Sequence, residues 1–280
     1  AELSNTDETA AYFYPVRTGR YRFRLDVTDG TDSRSDFTIV TVLPCIHDVQ
    51  DGLVARWSME EGQGSIALDR AAGIWNGALE GPTWSTDGVP GGTHKPATGA
   101  LRFDGVNDSV AVGTPDVAGT ELTLTGWFRA DDFGVGDARI LSKATGTAEQ
   151  DHYWMLSTVQ SQGGPRLRFR LKAGGSTTTL ISQGPRLSAG EWIFAAAVYD
   201  GERMRLYLHG EEVANAPKSG ALATSPTVPA AIGNQPAGDR PFDGLIDEVR
   251  IYSRALTADE LIIVAGEGRR LDCLPDRRPR

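Results

Sequence analysis

Four aromatic residues in this chain stand where a ligand could meet them. Trp75 and Trp84 lie in loops rich in Gly and Pro, and Tyr153-Trp154 opens a strand beside the acidic stretch Glu149-Gln-Asp151. A flat ring can stack on a sugar while a few polar neighbours fix its hydroxyls. The alternative is that such rings plug the edge of their own sheet. Trp57, Trp127 and Trp192 fall inside strand patterns and read as core. Carboxylates gather in Asp104-Gly-Val-Asn-Asp108, at Asp200 and Glu202, and at Asp243, Asp247 and Glu248. The Asp104–Asp108 run reads as a turn between strands, with a second acidic metal loop as the alternative, and Asp200-Gly201 as a hairpin turn. The four histidines, His47, His94, His152 and His209, are scattered, and no Cys/His spacing suits zinc.

Positioning those residues falls to many short strands. Period-2 or apolar runs over 54–59, 99–103, 109–112, 122–129, 140–143, 153–158, 167–172, 178–181, 193–199, 204–208, 211–214, 230–232 and 244–252 predict strands joined by tight turns. His209-Gly210 has the chemistry of a turn with positive φ. In 244–252 the alternation places Leu245, Val249 and Ile251 on one side and Ile246 and Tyr252 on the other. One short helix is expected, over Ala258–Ala265. Residues 1–44 read separately: Tyr21, Phe23, Leu25 and Val27 alternate with polar residues, Asp29-Gly30 signals a hairpin, and residues 36–42 return.

A chain of 280 residues accommodates one large all-β domain and a small one. Its net charge of −9 argues against nucleic-acid or anionic-membrane partners. No apolar run is long enough to span a bilayer. No signal peptide precedes Ala1, so the sequence reads as a mature product or as a piece of something longer.

Three motifs occur in order: Leu53-Val-Ala-Arg-Trp-Ser-Met-Glu-Glu-Gly-Gln-Gly64, Leu101-Arg-Phe-Asp-Gly-Val-Asn-Asp108, and Asp243-Gly-Leu-Ile-Asp-Glu-Val-Arg-Ile-Tyr252 running into Ser253–Leu261. Together they resemble the laminin-G-like, concanavalin-A-like jelly-roll family over about residues 50 to 268. The resemblance implies an all-β, two-sheet antiparallel sandwich over residues 53–268. A linker over 45–52 precedes it and a tail over 269–280 follows. Residues 1–44 look like the last strands of a PKD-like or cadherin-like immunoglobulin-type domain. The loop Leu68–Gly77 is similar to the family's calcium loop, so the resemblance implies a structural Ca²⁺ held by Asp69, Asn76 and Asp247. Arg70, Ala71, Ala72 and Trp75 depart from that loop's small polar pattern. Cys45 and Cys273 bracket the jelly-roll motifs, and converging terminal strands would let them form a disulfide; two free thiols are the alternative. Glycosidases of this fold carry Glu-x-Asp-x-Glu or Glu-x-Asp-x-x-Glu on one strand, and no such run is present.

These readings lead to an expectation of a secreted or cell-surface, non-catalytic lectin-like or adhesion module. Its partner would be a glycan or surface protein. One alternative is a structural or assembly subunit whose half immunoglobulin-like domain docks to a neighbouring chain. Another is an accessory domain of a polysaccharide-degrading enzyme.

Overall fold

The computed structural model describes residues 2–4, 12–14, 19–28, 31–42, 49–89 and 99–266. Cys45 and Cys273 lie outside the described residues. The chain divides into two units, Ala1–His47 with Leu271–Arg280, and Asp48–Arg270.

In the first unit, β1 (Glu2–Ser4) pairs antiparallel with β2 (Tyr12–Tyr14), and β3 (Gly19–Thr28) with β4 (Ser33–Val42). The β3–β4 ladder runs from Gly19 opposite Val42 to Thr28 opposite Ser33. Its apolar residues are poorly covered: Leu25 is 64% exposed, Phe37 49% and Ile39 54%. The Arg22 guanidinium lies 3.9 Å over the Phe37 ring.

The second unit is a two-sheet antiparallel sandwich. Its strands are β5 (Leu53–Trp57), β6 (Ile66–Ala67), β7 (Gly77–Glu80), β8 (Thr83–Ser85), β9 (Ala100–Asp104), β10 (Ser109–Ala111), β11 (Leu122–Ala130), β12 (Arg139–Ala144), β13 (His152–Ser161) and β14 (Gly164–Ala173). They continue through β15 (Ser176–Ile181), β16 (Ile193–Tyr199), β17 (Arg203–Leu208), β18 (Glu211–Pro217), β19 (Ala230–Ile232) and β20 (Asp243–Tyr252), followed by helix α1 (Ala258–Ala265). One sheet runs β15-β14-β13-β12-β19-β10-β7-β6, the other β18-β17-β16-β11-β20-β9-β8, with β5 also paired to β20. None of the described helices is long and apolar enough to cross a membrane.

Alternation dictates which face each strand buries. On β14, Leu167, Phe169 and Leu171 are fully buried in the core between the sheets, facing Trp154 and Leu156 of β13 across the ladder. The side chains between them point the other way. Strand β16 is buried along its whole length, and its three alanines, Ala195, Ala196 and Ala197, let β11 and β17 close against it. The β17–β18 hairpin turns on His209 (φ 49°) and Gly210 (φ 82°), as its sequence predicts. A Cβ on Gly210 would come within 2.5 Å of Ile262 in α1, so glycine serves both the turn and the helix contact. The helix starts where predicted, because Thr257 accepts from the Glu260 N–H while Glu260 accepts from the Thr257 N–H.

One strand departs from simple alternation. In β20, Ile246, Val249 and Ile251 belong to the core cluster, and Leu245 falls on the other side. The sequence pattern groups Leu245 with Val249 and leaves Ile246 out. The cause is a bulge: Arg250 faces Thr125 and Asp247 faces Trp127, so two residues of β20 oppose Gly126 alone. Glu248 takes φ 48° there, and the extra residue reverses the facing of everything before it. Two tryptophans also depart from expectation. Trp57 is in the core, but Trp127 is half-buried against Phe194 and His209, and the half-buried Trp192 lies beneath the Arg129 guanidinium.

Candidate functional site

The loop before β7 is organised by one carboxylate. Asp69 Oδ1 accepts from the N–H of Arg56 (3.1 Å) and Ala71 (2.9 Å), and Oδ2 from those of Ile74 (3.1 Å) and Trp75 (3.2 Å). The Asp69 N–H in turn donates to Asn76 Oδ1 (2.9 Å), and Trp57 Nε1–H donates to the Trp75 carbonyl (2.7 Å). Asp69 is 5% exposed and all four of its principal acceptor directions face backbone N–H groups. Asp247 is fully buried at the β20 bulge, where it accepts from the N–H of Val89 (3.2 Å) and Glu248 (2.7 Å). Burial, reinforced by the Glu248 charge, pushes its carboxyl up to about 8. Asp69 and Asn76 are thus both engaged with the loop backbone, and Asp247 with the Val89 and Glu248 N–H groups. Among the described residues no group of three His, Cys, Asp or Glu side chains stands close enough to hold a metal.

The second acidic loop is a turn. Asp108 Oδ2 accepts from the Asp104 N–H (3.0 Å), and Asp104 Oδ1 from the Val106 N–H (2.8 Å). Burial raises the Asp108 carboxyl. Glu248, 8% exposed, is clamped by Arg56 (3.1 Å) and Arg250 (3.0 Å). Neither Asp247 nor Glu248 is open to a substrate.

The four aromatic candidates are not brought together. Trp154 is 2% exposed in the core, out of reach of a sugar. Trp75 and Trp84 are half-buried, packed on the core, and Trp84 Nε1–H is held by the Gly64 carbonyl (2.7 Å). Trp84 sits on β8, in the opposite sheet from Tyr153 on β13. Tyr153 is half-buried, with the Lys172 and Lys143 ammoniums 5.4 and 5.9 Å from its ring centroid.

Tyr153 leads to a cluster that the sequence reading passes over. On the outward side of β14, opposite to Leu167, Phe169 and Leu171, stand Arg166, Arg168, Arg170 and Lys172. Register extends this basic stripe into rows. Ser142, Met155, Arg170 and Thr179 face one another across four strands, and Arg139, Ser157 and Arg168 form the next row. Arg139 is fully buried and donates to Gln235 Oε1 (3.1 Å) and to the Asp137 carboxylate, which also pairs with Arg168 and, at 3.6 Å, with Arg240. Arg168 Nε donates to Ser157 Oγ (3.2 Å), and Arg170 to Thr179 Oγ1 (3.2 Å) and the Thr147 carbonyl (3.3 Å).

His152 lies within this cluster. Its Nδ1–H donates to the Ala148 carbonyl (2.8 Å), which leaves Nε2 to accept from Arg139 (3.2 Å). Burial first, then repulsion from Arg139 and Arg170, brings its pKa down to about 4, so the ring is neutral at physiological pH. Burial, with Arg170 and Arg240 nearby, likewise lowers both Arg139 and Arg168 to about 9. Guanidiniums remain charged at neutral pH; Arg139, Ser142, Ser157 and Gln235 are buried beneath this face and Arg168 is nearly so, while Arg166, Arg170, Lys172, Thr179 and Arg240 are half-buried at its surface. The Thr179 hydroxyl in turn donates to Glu149 Oε1 (2.5 Å). The signal that marks this face in the sequence is Arg166-Leu-Arg-Phe-Arg-Leu-Lys172, four cations at a period of two.

Comparison with known proteins agrees with this architecture. Residues 104–262 match the laminin G type 3 family, described as the concanavalin A-like lectin/glucanases superfamily. Pappalysin-1 of Mus musculus is 27% identical over 179 residues, which is 60% of this chain and 11% of that protein. The chain thus spans about a tenth of that relative's length. Among solved structures, domain 4 of an extracellular arabinanase from Geobacillus stearothermophilus, in complex with arabinotriose, is 19% identical with a TM-score of 0.56. The match covers 76% of this chain and 98% of that domain. The ligand-binding domain of botulinum neurotoxin serotype D, in complex with N-acetylneuraminic acid, is 14% identical with a TM-score of 0.52, over 77% of this chain and 51% of that one. With more than half of its length matched and the two antiparallel sheets in place, the chain belongs to the concanavalin A-like lectin/glucanases superfamily.

Proposed function

We propose that this chain is a non-catalytic carbohydrate-binding module of an extracellular protein, and that the outward face of the β15-to-β6 sheet is its binding surface. The observation that carries the reading is that face itself. It sets the half-buried Arg166, Arg170, Lys172 and Thr179 across β14 and β15, beside the half-buried Tyr153 ring. Sugars are recognised by that combination of directed hydrogen bonds and an aromatic flank. Two structural neighbours, the arabinanase domain and the neurotoxin domain, are themselves in complex with saccharides. A glycan array spanning plant, algal and host polysaccharides tests the reading: binding to at least one class is expected, and silence across all of them refutes it.

A second reading is favoured by the exposed Leu25, Phe37 and Ile39 of the β3–β4 hairpin, which would dock to a neighbouring chain. Light scattering tests it, and a protein that stays monomeric at high concentration contradicts it. A Cys45–Cys273 bridge remains part of the proposal; intact mass with and without reductant, after thiol alkylation, reads it directly.

A further inference from the structure

We propose that the basic stripe on β14 selects an acidic saccharide, whose carboxylate or sulfate is held by Arg168, Arg170 and Arg240 beside the Tyr153 ring. The inference deepens the carbohydrate-binding reading and rests on it. Three guanidiniums, those of Arg139, Arg168 and Arg240, converge on the single carboxylate of Asp137, and Arg240 has only a long second contact, 3.9 Å, to Asp239. Among the described residues Arg170 makes no direct ion pair; its hydrogen-bond partners are a hydroxyl and a carbonyl, with the Glu149 carboxylate acting on it from beyond Thr179. Crowding like charges in a partly covered site is unfavourable unless an anion offsets it; Asp137, Asp239 and Glu149 face Arg139, Arg168, Arg170, Arg240 and Lys172, which leaves cations in excess. This local surplus occurs in a protein of net charge −9.

Geometry narrows the ligand further. Guanidinium forks match the paired oxygens of a carboxylate or sulfate. Arg168 is recessed at 7% exposure and Arg240 stands at the rim at 36%. A group projecting from a sugar can reach between them. A nucleic-acid backbone needs its contacts spread along an exposed surface, and the net negative charge opposes a long polyanion.

Titration calorimetry on the full chain separates the outcomes. The probes are trigalacturonate for the carboxylate and a sulfated lactose for the sulfate. Arabinotriose and lactose serve as neutral counterparts, and sodium sulfate alone and a single-stranded oligonucleotide as controls. At least one acidic sugar is expected to bind roughly tenfold or more tightly than its neutral counterpart. Arg170→Gln and the rim variant Arg240→Gln should each weaken it by a similar factor, while Arg203→Gln, on the other sheet, leaves it unchanged. The Arg240 variant keeps the test open if loss of Arg170 disturbs folding. Neutral sugars binding equally well, with both arginine variants silent, would overturn the acidic selectivity and leave carbohydrate binding standing. No saccharide binding at all would remove both. Sulfate alone or the oligonucleotide matching the acidic sugar would overturn the inference as well, since charge without a sugar would then suffice.

Discussion

Asp69 is the carboxylate that organises the loop before β7. With four backbone N–H groups on its two oxygens, Asp69→Ala leaves several buried donors unpaired. The expected loss is about 3 kcal/mol or more in urea unfolding. The same arrangement predicts that EDTA leaves the melting temperature unchanged; a clear drop in chelator would restore a metal near this loop. Asp247 supplies a different test. Its carboxyl stands at about 8 when folded against an ordinary 3.8, so the folded state holds the proton that the unfolded chain releases. Stability linked to this group is complete below about pH 4 and falls as pH rises toward 8. Asp247→Asn should therefore flatten the loss of stability between pH 4.5 and 8, and an unchanged pH slope would contradict the assignment. His152 runs in the opposite sense. Its pKa is lowered to about 4, so its contribution is present above pH 6.5 and is lost as pH falls toward 4.

At the level of elements, the bulge in β20 shows where sequence patterning stops being sufficient. Alternation read across 244–252 assumes an unbroken ladder, and one inserted residue at Glu248 transfers Ile246 to the core and Leu245 to the far side. Nothing in a single sequence marks that insertion, because glutamate carries no preference for positive φ. The bulge also sets Glu248 between Arg56 and Arg250, so Glu248→Ala would remove the carboxylate both guanidiniums share and cost about 3 kcal/mol or more. The tight turns were legible, by contrast: His209-Gly210 announced its positive φ through residue type alone. Gly210→Ala forces a strained φ and a 2.5 Å approach to Ile262. It should destabilise by about 1–3 kcal/mol in thermal unfolding, and a neutral substitution would contradict the packing of α1 on this hairpin.

For the whole molecule, the three spaced motifs were enough to identify the jelly roll, since each sits on a strand or turn of the sandwich: β5, β9 with its following turn, and β20 into α1. The binding face was far less legible. Residue type marks Trp75, Trp84, Tyr153 and Trp154 alike as stacking candidates, yet a ring's place in a loop or at a strand's start says little about whether it faces solvent or core, and Trp154 is a core residue. A net charge of −9 likewise concealed a basic stripe, because the sum over 280 residues is silent about which four share one side of one strand.

A crystal structure of the chain with trigalacturonate or sulfated lactose tests the central claim most directly. The account predicts a saccharide lying over the outward face of β13 to β15, its acidic group within hydrogen-bond distance of Arg170 and Arg168 or Arg240. A sugar seated instead at the loops around Trp75 or Trp84, or a binding face left bare at saturating ligand, would contradict it.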